Sequence, residues 1–301
     1  MTHLFQELKN TIKVFGLLLF SMATSFCSYA QEENLEDLDS LIDELFFNNQ
    51  QFLDELIEND FSINFLYTSV SYNSNTFFSG RDSGADQFNI IPQVSYYHSS
   101  GFNASISGIF YQNFDPNWDF TSVSLGYFKT LGKNKNFLYN IGYTKVFYTD
   151  DFDDFTNSLD LSLGIRNKKR TIGTTVSASY LFGADESYQI VSNSYLNFTL
   201  KRTPNFALRL RPNVNFIIAK QSIAVKKVVF IDQQVVVEIV NFNIIDLLNT
   251  QLSFPLSLST KSWDFEFGYN FNFPNSVLKE SSIPTSSYFS FSIGHLFDLN
   301  K

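Results

Sequence analysis

Residues 263–273, WDFEFGYNFNF, alternate without a break between a large aromatic residue and a polar or small one. Consecutive side chains of a β-strand point to opposite faces of the sheet, so this period of two predicts a strand with one aromatic face and one polar face. Residues 155–166 repeat the pattern, with Leu159, Leu161 and Leu163 set against polar or small neighbours. Both stretches therefore indicate strands that separate an apolar environment from a polar one.

The same alternation continues through residues 61–301. It occurs near residues 87–98, 102–112, 119–129, 137–148, 171–182, 188–200, 205–218, 247–259 and 287–297, and less regularly at 62–73. Each run is long enough for a tilted strand to cross the hydrocarbon of a bilayer, which takes about nine to eleven residues. With the two stretches above, the runs predict an all-β fold, a transmembrane antiparallel up-and-down β-barrel of 12 strands.

Residues 205–259 leave a second strand count open. Little turn signal precedes Asp232-Gln233-Gln234, which favours one long hairpin that rises beyond the membrane. Breaks near residues 219–222 and 241–243 would instead give 14 strands. Either count is even, as single-chain bacterial barrels prefer.

The connections between the runs predict an orientation. Short connections alternate with longer ones along most of the chain. The short ones carry basic residues and the longer ones carry acidic residues. Periplasmic turns of such barrels are short and outer loops are long. We therefore expect both termini on the periplasmic side.

The first 60 residues differ from the rest. Residues 1–30 resemble a secretory signal peptide, with a basic start, a short apolar run and a Ser28-Tyr29-Ala30 cleavage site. Residues 31–60 form an acidic leader in which apolar residues follow helical spacing, typical of a short amphipathic helical segment. This periplasmic leader is expected to pack on the rim of the barrel at residues 61–301 or, alternatively, to plug its lumen.

Composition narrows the function classes. The net charge of −9 argues against nucleic-acid binding, which needs basic surfaces. Cys27 is the only cysteine and falls within the signal, so the mature chain is expected to hold neither a disulfide nor a thiolate-bound metal. No cofactor motif is present in the sequence.

Charged residues on the polar face of the strands predict a lumen charge cluster. Arg209 and Arg211 on the ninth strand and Asp264 and Glu266 on the eleventh all point inward in the expected register, as do Arg166 and Asp160 on the sixth. Next-nearest strands lie roughly 10 Å apart. An Arg209–Glu266 bridge across small serines is therefore expected. It either closes an internal ion-pair cluster or selects permeants by charge.

Two other groups of residues could carry chemistry. Asp150, Asp151, Asp153 and Asp154 share one expected outer loop, which is either a solvated acidic loop or a Ca²⁺ site. His98 and His295, the histidines outside the signal, fall on the lipid-facing register near the periplasmic rim. We therefore expect no enzyme activity.

Several features together carry a resemblance: the signal peptide, the acidic leucine-rich leader, the Phe/Tyr/Asn/Ser-rich strands and the aromatic last strand. The chain resembles uncharacterised outer-membrane β-barrel proteins of Bacteroidetes. The resemblance implies an outer-membrane location, with lipid, lipopolysaccharide and the general assembly machinery as partners, and no particular permeant. A channel for small hydrophilic solutes and a non-transport scaffold or adhesion barrel both fit it.

Overall fold

The computed structural model describes residues 64–78, 81–82, 87–113, 116–132, 135–149, 153–203, 205–231, 234–260, 262–276 and 283–299. Within these ranges only the backbone is described for residues 78, 81–82 and 221–242. The signal and helical leader expected at residues 1–60 lie outside the described residues. Among the residues described, no helix has the length and apolar character needed to cross a membrane.

Twelve strands make up the barrel, and nine of them are continuous. These are β1 (Phe65–Asn73), β2 (Asn89–Tyr97), β3 (Phe102–Tyr111), β4 (Trp118–Leu131), β5 (Phe137–Tyr148), β6 (Asn157–Arg166), β7 (Ile172–Phe182), β11 (Trp263–Pro274) and β12 (Ser286–Asp298). Three are interrupted once: β8 (Glu186–Leu196 and Phe198–Arg202), β9 (Phe206–Leu210 and Asn213–Ile231) and β10 (Gln234–Ser253 and Leu256–Thr260). The prediction of twelve strands is confirmed, and the alternative of fourteen is wrong.

The sheet closes on itself. Every strand pairs antiparallel with its neighbours in sequence, and β12 pairs with both β11 and β1. We call the rim that holds Asn64 and Leu299 the terminal rim, because the Leu299 N–H there donates to the Asn64 carbonyl at 3.0 Å. The opposite rim is called the loop rim.

The interruptions of β8, β9 and β10 lie beside one another. They fall at Asn197, at Arg211–Pro212 and at Phe254–Pro255. Proline has no N–H to donate to a ladder, so the regular pairing stops at these positions. The sheet stays continuous because the Leu196 N–H donates to the Pro212 carbonyl at 2.9 Å and the Arg211 N–H to the Pro255 carbonyl at 3.0 Å.

The hairpin of β9 and β10 rises far above the loop rim. Its register runs from the Asn213–Ser253 pair to the Ile231–Gln234 pair. Pairing of β8 with β9 stops at Ala219, and pairing of β11 with β10 stops at Asn249. Residues 220–231 and their partners therefore form a two-stranded ribbon roughly 40 Å long, at about 3.3 Å per residue. The unbroken ribbon is the physical reason that no additional pair of strands forms.

The two faces of each strand differ in burial, as strand β6 illustrates. Leu159 and Leu163 are 50% and 55% exposed on the outside, whereas Ser158 and Ser162, each next to one of them in sequence, are buried on the inside. The exterior of the barrel is therefore apolar and the lumen wall contains many polar groups, which is the surface pattern of a membrane-spanning barrel.

Connection length follows the expected alternation except at two loop-rim connections, the β7–β8 connection and the two-residue β9–β10 connection at the end of the ribbon. The terminal-rim turns span 98–101, 132–136, 167–171, 203–205 and 261–262, and most loop-rim connections, such as 74–88 and 275–285, are longer. The β7–β8 connection, residues 183–185, is as short as a terminal-rim turn. It is held by the loop beside it, because the Ala184 N–H donates to the Asp153 carbonyl at 2.9 Å.

Candidate functional site

The lumen is the candidate site, and its terminal half carries charge on strands β9 and β11. Arg209 is paired in register with Ser257 of β10, and Ser257 is paired with Glu266 of β11. The three side chains thus share one row of the lumen wall, and the middle one is small. The register therefore places Arg209 and Glu266 on next-nearest strands, as the bridge requires. The Arg209–Glu266 bridge itself stays a prediction.

Asp264 belongs to the same charged group. Its Oδ1 accepts a hydrogen bond from the Ser259 hydroxyl at 2.7 Å, and its carboxylate interacts electrostatically with Arg209. Arg209 is buried in the wall, which strengthens such an interaction relative to water. The structure therefore brings Arg209 and Asp264 together at the terminal end of the lumen.

Arg211 lies at the interruption of β9. Its guanidinium carbon is 3.7 Å from the centre of the Tyr195 ring, a close cation–π contact. Tyr195 is buried on the lumen face of β8, opposite Gly173 of β7. Its hydroxyl occupies the space that a Cβ at Gly173 would fill. Arg211 is thus held against an aromatic ring.

Asp160 and Arg166 lie on β6, three strands along the sheet from β9. Asp160 Oδ1 accepts hydrogen bonds from Ser158 at 2.9 Å and from Ser179 at 2.7 Å. Arg166 is buried, and its Nε donates to the Lys135 carbonyl in the β4–β5 turn at 3.1 Å. Both face the lumen, and these contacts hold Asp160 to β6 and β7 and Arg166 to the β4–β5 turn.

Several neutral amides line the loop half of the lumen on β8 to β11, and we call seven of them the amide wall. Asn215 joins three strands, because it bonds to Asn193 of β8 and donates to Gln251 of β10 at 2.9 Å. Gln251 donates to Asn272 of β11 at 3.2 Å, and Asn249 donates to the same oxygen at 3.1 Å. The full set is Asn193, Asn213, Asn215, Asn249, Gln251, Asn270 and Asn272.

The remaining sector of the loop half carries an apolar cluster on β2 to β7, which we call the apolar wall. Its buried members are Ile91, Ile109, Tyr111, Phe120, Val146 and Leu181, with Tyr148 and Phe155 packed against them. These residues fall on the inward register, and Ile109, Phe120 and Leu181 have no exposed surface. Apolar packing therefore occupies part of the loop half on β2 to β7, while hydrogen-bonded amides line β8 to β11.

The β1–β2 connection folds against the lumen wall at the loop rim. Thr76 is buried, donates to the Gln87 carbonyl at 3.0 Å and accepts from Asn89 Nδ2 at 3.1 Å. Phe77 is buried and its ring lies against that of the inward-facing Tyr288 of β12, with ring centres 5.2 Å apart and the planes tilted by 34°. This connection narrows the mouth of the lumen.

An aromatic group narrows the opposite end. Phe65 and Tyr97 face inward and stack with ring centres 4.8 Å apart, and Tyr67 and Leu296 pack against them. The Tyr67 hydroxyl lies in the space beside Gly294, where any Cβ would collide with it. The lumen is thus restricted by side chains at the terminal rim as well as at the loop rim.

The acidic loop is described only in part, because Asp150 and Asp151 lie outside the described residues. Asp153 and Asp154 pack by their backbone against the β7–β8 connection, where Asp185 lies 3.7 Å from Lys220 Nζ. Burial and the neighbouring carboxylates of Asp153 and Asp185 raise the pKa of Asp154. Within the described ranges, no group of three or more metal-ligating side chains is assembled. A Ca²⁺ site in this loop stays a prediction.

Both histidines lie near the terminal rim. His98 is exposed in the β2–β3 turn, where its Nδ1 lies 2.8 Å from the Ser100 hydroxyl. His295 is on the lipid-facing register of β12, with its ring centre 4.5 Å from that of Trp263 and 4.3 Å from that of Phe297. These contacts are those of a turn and of an interfacial aromatic belt.

Sequence reasoning missed the amide wall, the apolar wall and the inward fold of residues 74–88. The amides gave a usable signal, since Asn213 and Asn215, Asn249 and Gln251, and Asn270 and Asn272 occupy alternate positions of three strands. The inward fold of the β1–β2 connection gave no sequence signal, because the residues of a connection do not alternate with a regular period.

No family model matches the chain, and no curated protein matches it in sequence. Solved structures align with it at low similarity. The NanC porin aligns with a TM-score of 0.44 and 13% identity, over 78% of this chain and 100% of that one. The KdgM porin aligns with a TM-score of 0.41 and 9% identity, over 77% and 98%. The translocator domain of the autotransporter NalP from Neisseria meningitidis aligns with a TM-score of 0.42 and 10% identity, over 88% and 100%. Values this low carry no argument about function, and the barrel architecture rests on the chain's own strand pairing.

Proposed function

We propose that this chain resides in the outer membrane of a Gram-negative bacterium and lets small hydrophilic solutes pass through its lumen. In lipid every backbone N–H and C=O needs an internal partner, a requirement that a closed barrel meets. The closed register of β1 to β12 and the apolar exterior support this location. Membrane lipid, lipopolysaccharide and the general assembly machinery would be its partners. The Bacteroidetes lineage rests on the sequence resemblance alone.

The amide wall is the observation that carries the channel proposal. Seven amides on four adjacent strands lie on the lumen face of the sheet, and five of them are buried. A lumen without contact with water or solute would be better served by apolar packing, because buried polar groups stabilise a fold only when they are paired. A polar wall on one side is the surface that a hydrated solute needs.

The orientation is part of the proposal. Short turns carrying Lys135, Lys168, Lys169 and Arg170 lie at the terminal rim, and acidic loop residues lie at the opposite rim. In outer-membrane barrels the short turns are periplasmic. Both ends of the described chain are therefore proposed to face the periplasm, with the β9–β10 ribbon outside the cell.

Liposome swelling tests the channel. The full chain is refolded into liposomes and diluted into isotonic solutions of sugars, amino acids or nucleosides. Swelling in at least one series that slows with solute size supports passage. Liposomes that contain folded protein and swell no faster than protein-free liposomes would contradict it.

The charged group at the terminal end is proposed to tune which ions pass. Glu266→Gln removes one carboxylate from the Arg209–Ser257–Glu266 row, so the pore should become less cation-selective. Reversal potentials in a salt gradient across planar bilayers measure this. Glu186→Gln, at an exposed position on the loop rim, is the matched control. Unchanged selectivity in Glu266→Gln leaves the group a purely structural ion-pair cluster.

A scaffold or surface-adhesion barrel is the second candidate. The apolar wall favours it, because six buried apolar side chains occupy space inside the barrel. The β9–β10 ribbon would then act as the contact platform. Folded protein that neither swells liposomes nor conducts ions would select this candidate.

A further inference from the structure

The connections at the terminal rim carry basic charge and no acidic charge. No Asp or Glu falls in residues 98–101, 132–136, 167–171, 203–205 or 261–262. Six basic residues that the structure describes in or beside these turns form a group that we call the basic rim: Lys135, Lys168, Lys169, Arg170, Lys201 and Arg202. Lys135 and Arg170 are half-buried and the other four are exposed. Because like charges gathered on one rim repel one another, an acidic partner would stabilise this arrangement.

Turn geometry does not explain two of these residues. Lys135 and Arg170 have φ angles of 52° and 56°, in the left-handed region that Gly or Asn adopts at lower cost. The turns close through backbone hydrogen bonds, from the Lys135 N–H to the Gly132 carbonyl at 3.0 Å and from the Arg170 N–H to the Asn167 carbonyl at 2.9 Å. A neutral residue at either position would close the same turn. The basic side chains therefore point to a role outside the turns themselves.

The leader at residues 31–60 has the complementary charge. It contains eleven Asp and Glu residues and no Lys or Arg, whereas residues 61–301 contain 18 acidic and 19 basic residues. The leader is therefore the source of the negative net charge of the chain. It reaches the barrel at Asn64 on the terminal rim, where Asn64 Oδ1 accepts from the Ser99 N–H at 3.0 Å. Chain connectivity thus brings the acidic residues to the rim that holds the basic ones.

We propose that the leader docks across the terminal rim, with its carboxylates on the basic rim. The β6–β7 turn lies about half of the way round the closed sheet from β1. A barrel of twelve tilted strands is roughly 24 Å across. A helix of about 25 leader residues, as their spacing predicts, would be roughly 37 Å long. The leader is thus long enough to cross the mouth from Asn64 to the far turns.

The aromatic group at the terminal end favours docking on the rim over insertion into the lumen. Phe65, Tyr67 and Tyr97 are buried there and pack with Leu296. A helix with its side chains is roughly 10 Å wide, so insertion would displace these packed rings. Docking on the turns leaves them in place. This docking does not depend on the passage of solute, and it stands apart from the proposed channel.

Carbodiimide cross-linking tests the docking, because the reagent joins a carboxylate to a lysine amine that contacts it. The full chain is refolded into phosphatidylcholine liposomes, whose lipid carries no net charge, and the cross-linked peptides are identified by mass spectrometry. We expect monomeric protein in which residues 31–60 are joined to Lys168 or Lys169. The yield should fall at least about threefold between about 0.1 M and about 1 M NaCl, because the screening length falls from about 10 Å to about 3 Å.

Arg170→Gln/Arg202→Gln removes two charges of the basic rim and keeps the lysines that react. The yield at Lys168 and Lys169 should fall about threefold at low salt, as expected for two exposed charges, and Arg170→Lys/Arg202→Lys should restore it. Lys145→Gln/Lys220→Gln, which removes two charges near the loop rim, is the matched control and should leave the yield unchanged.

Leader cross-links that form only between molecules, or that join Lys145 or Lys220, would overturn the proposal. Absence of leader cross-links in folded protein would also overturn it, as would a yield that neither salt nor Arg170→Gln/Arg202→Gln changes. If that variant does not fold, the position and the salt dependence of the cross-links in the parent chain decide. Cross-linking without liposome swelling would contradict the channel and keep the docking, whereas swelling without cross-linking would do the reverse.

Discussion

The amide wall and the apolar wall occupy complementary sectors of one closed sheet, yet they interact with their surroundings in opposite ways. On β2 to β7, Phe120 and its neighbours pack without exposed surface. On β8 to β11, amides bond to one another across strands and leave Asn249 Oδ1 and Asn272 Nδ2 unpaired. Packing stabilises through area removed from water, whereas neutral hydrogen bonds add little net free energy. We infer that the apolar wall holds the barrel and the amide wall meets the solute.

The largest expected effect is on the apolar wall. Phe120→Ala should lower the free energy of unfolding by about 3 kcal/mol or more, because the deleted ring leaves a cavity that the closed sheet cannot collapse. Equilibrium urea unfolding in liposomes measures it. Phe147→Ala on the lipid-facing side of β5 is the control, and its loss should be smaller because lipid fills the space left. Equal losses of unfolding free energy at the two positions would contradict the view that packing on the lumen side stabilises the barrel more than packing on the lipid side.

A smaller effect is expected at the loop-rim mouth. Phe77→Ala removes the ring contact with Tyr288 and should lower the free energy of unfolding by about 1 kcal/mol beyond the lost burial, as for other aromatic pairs. The Phe77→Ala/Tyr288→Ala double-mutant cycle isolates that term. A coupling energy of zero would mean that the two rings touch without stabilising the inward fold of the β1–β2 connection.

Substitutions in the amide wall should lower the free energy of unfolding by less than Phe120→Ala or Phe77→Ala does. Asn193→Leu removes hydrogen bonds to Asn213 and Asn215, and the free energy of unfolding should fall by about 1 kcal/mol or less. The same urea experiment measures the change. A loss as large as that of Phe120→Ala would contradict the view that this wall contributes little to stability.

The smallest effect concerns the acidic loop. Burial and the carboxylates of Asp153 and Asp185 raise the pKa of Asp154, so the folded state binds this proton more tightly than the unfolded state does. The contribution to stability is therefore present at low pH and is lost as pH rises through the Asp154 pKa. Asp153→Asn should move that pKa back toward the ordinary range, which an NMR titration of the Asp154 carboxyl carbon can follow. No movement would mean that Asp153 does not act on Asp154.

The number of strands, and which residues face lipid or lumen, could be predicted because the contrast between lipid and lumen imposes a period of two on each strand. Residues 263–273 carry that period in full. The structure also pairs Arg209 with Ser257 and Ser257 with Glu266, as the expected register requires. The long hairpin was open to two interpretations because residues 205–231 carry little turn signal. The structure resolves it through the continuous pairing of β9 with β10.

The features that could not be predicted depend on which strands come together across a closed sheet. Thr76 and Phe77 lie in a connection without periodicity, and their partners Asn89 and Tyr288 are brought to them only when the barrel closes. The apolar wall is hidden for a related reason. Ile109 and Phe120 look like ordinary strand residues in sequence, and their inward direction is set by the register and by the irregularity in the β3–β4 pairing.

Planar-bilayer conductance of the refolded full chain tests the central claim most directly. The wild-type barrel should show discrete conductance steps, and Phe77→Ala should show larger ones because a ring is removed from the mouth. The lipid-facing Phe147→Ala variant should match the wild type. Silent bilayers containing folded wild-type and Phe77→Ala protein would contradict a solute path through the lumen and would support the scaffold.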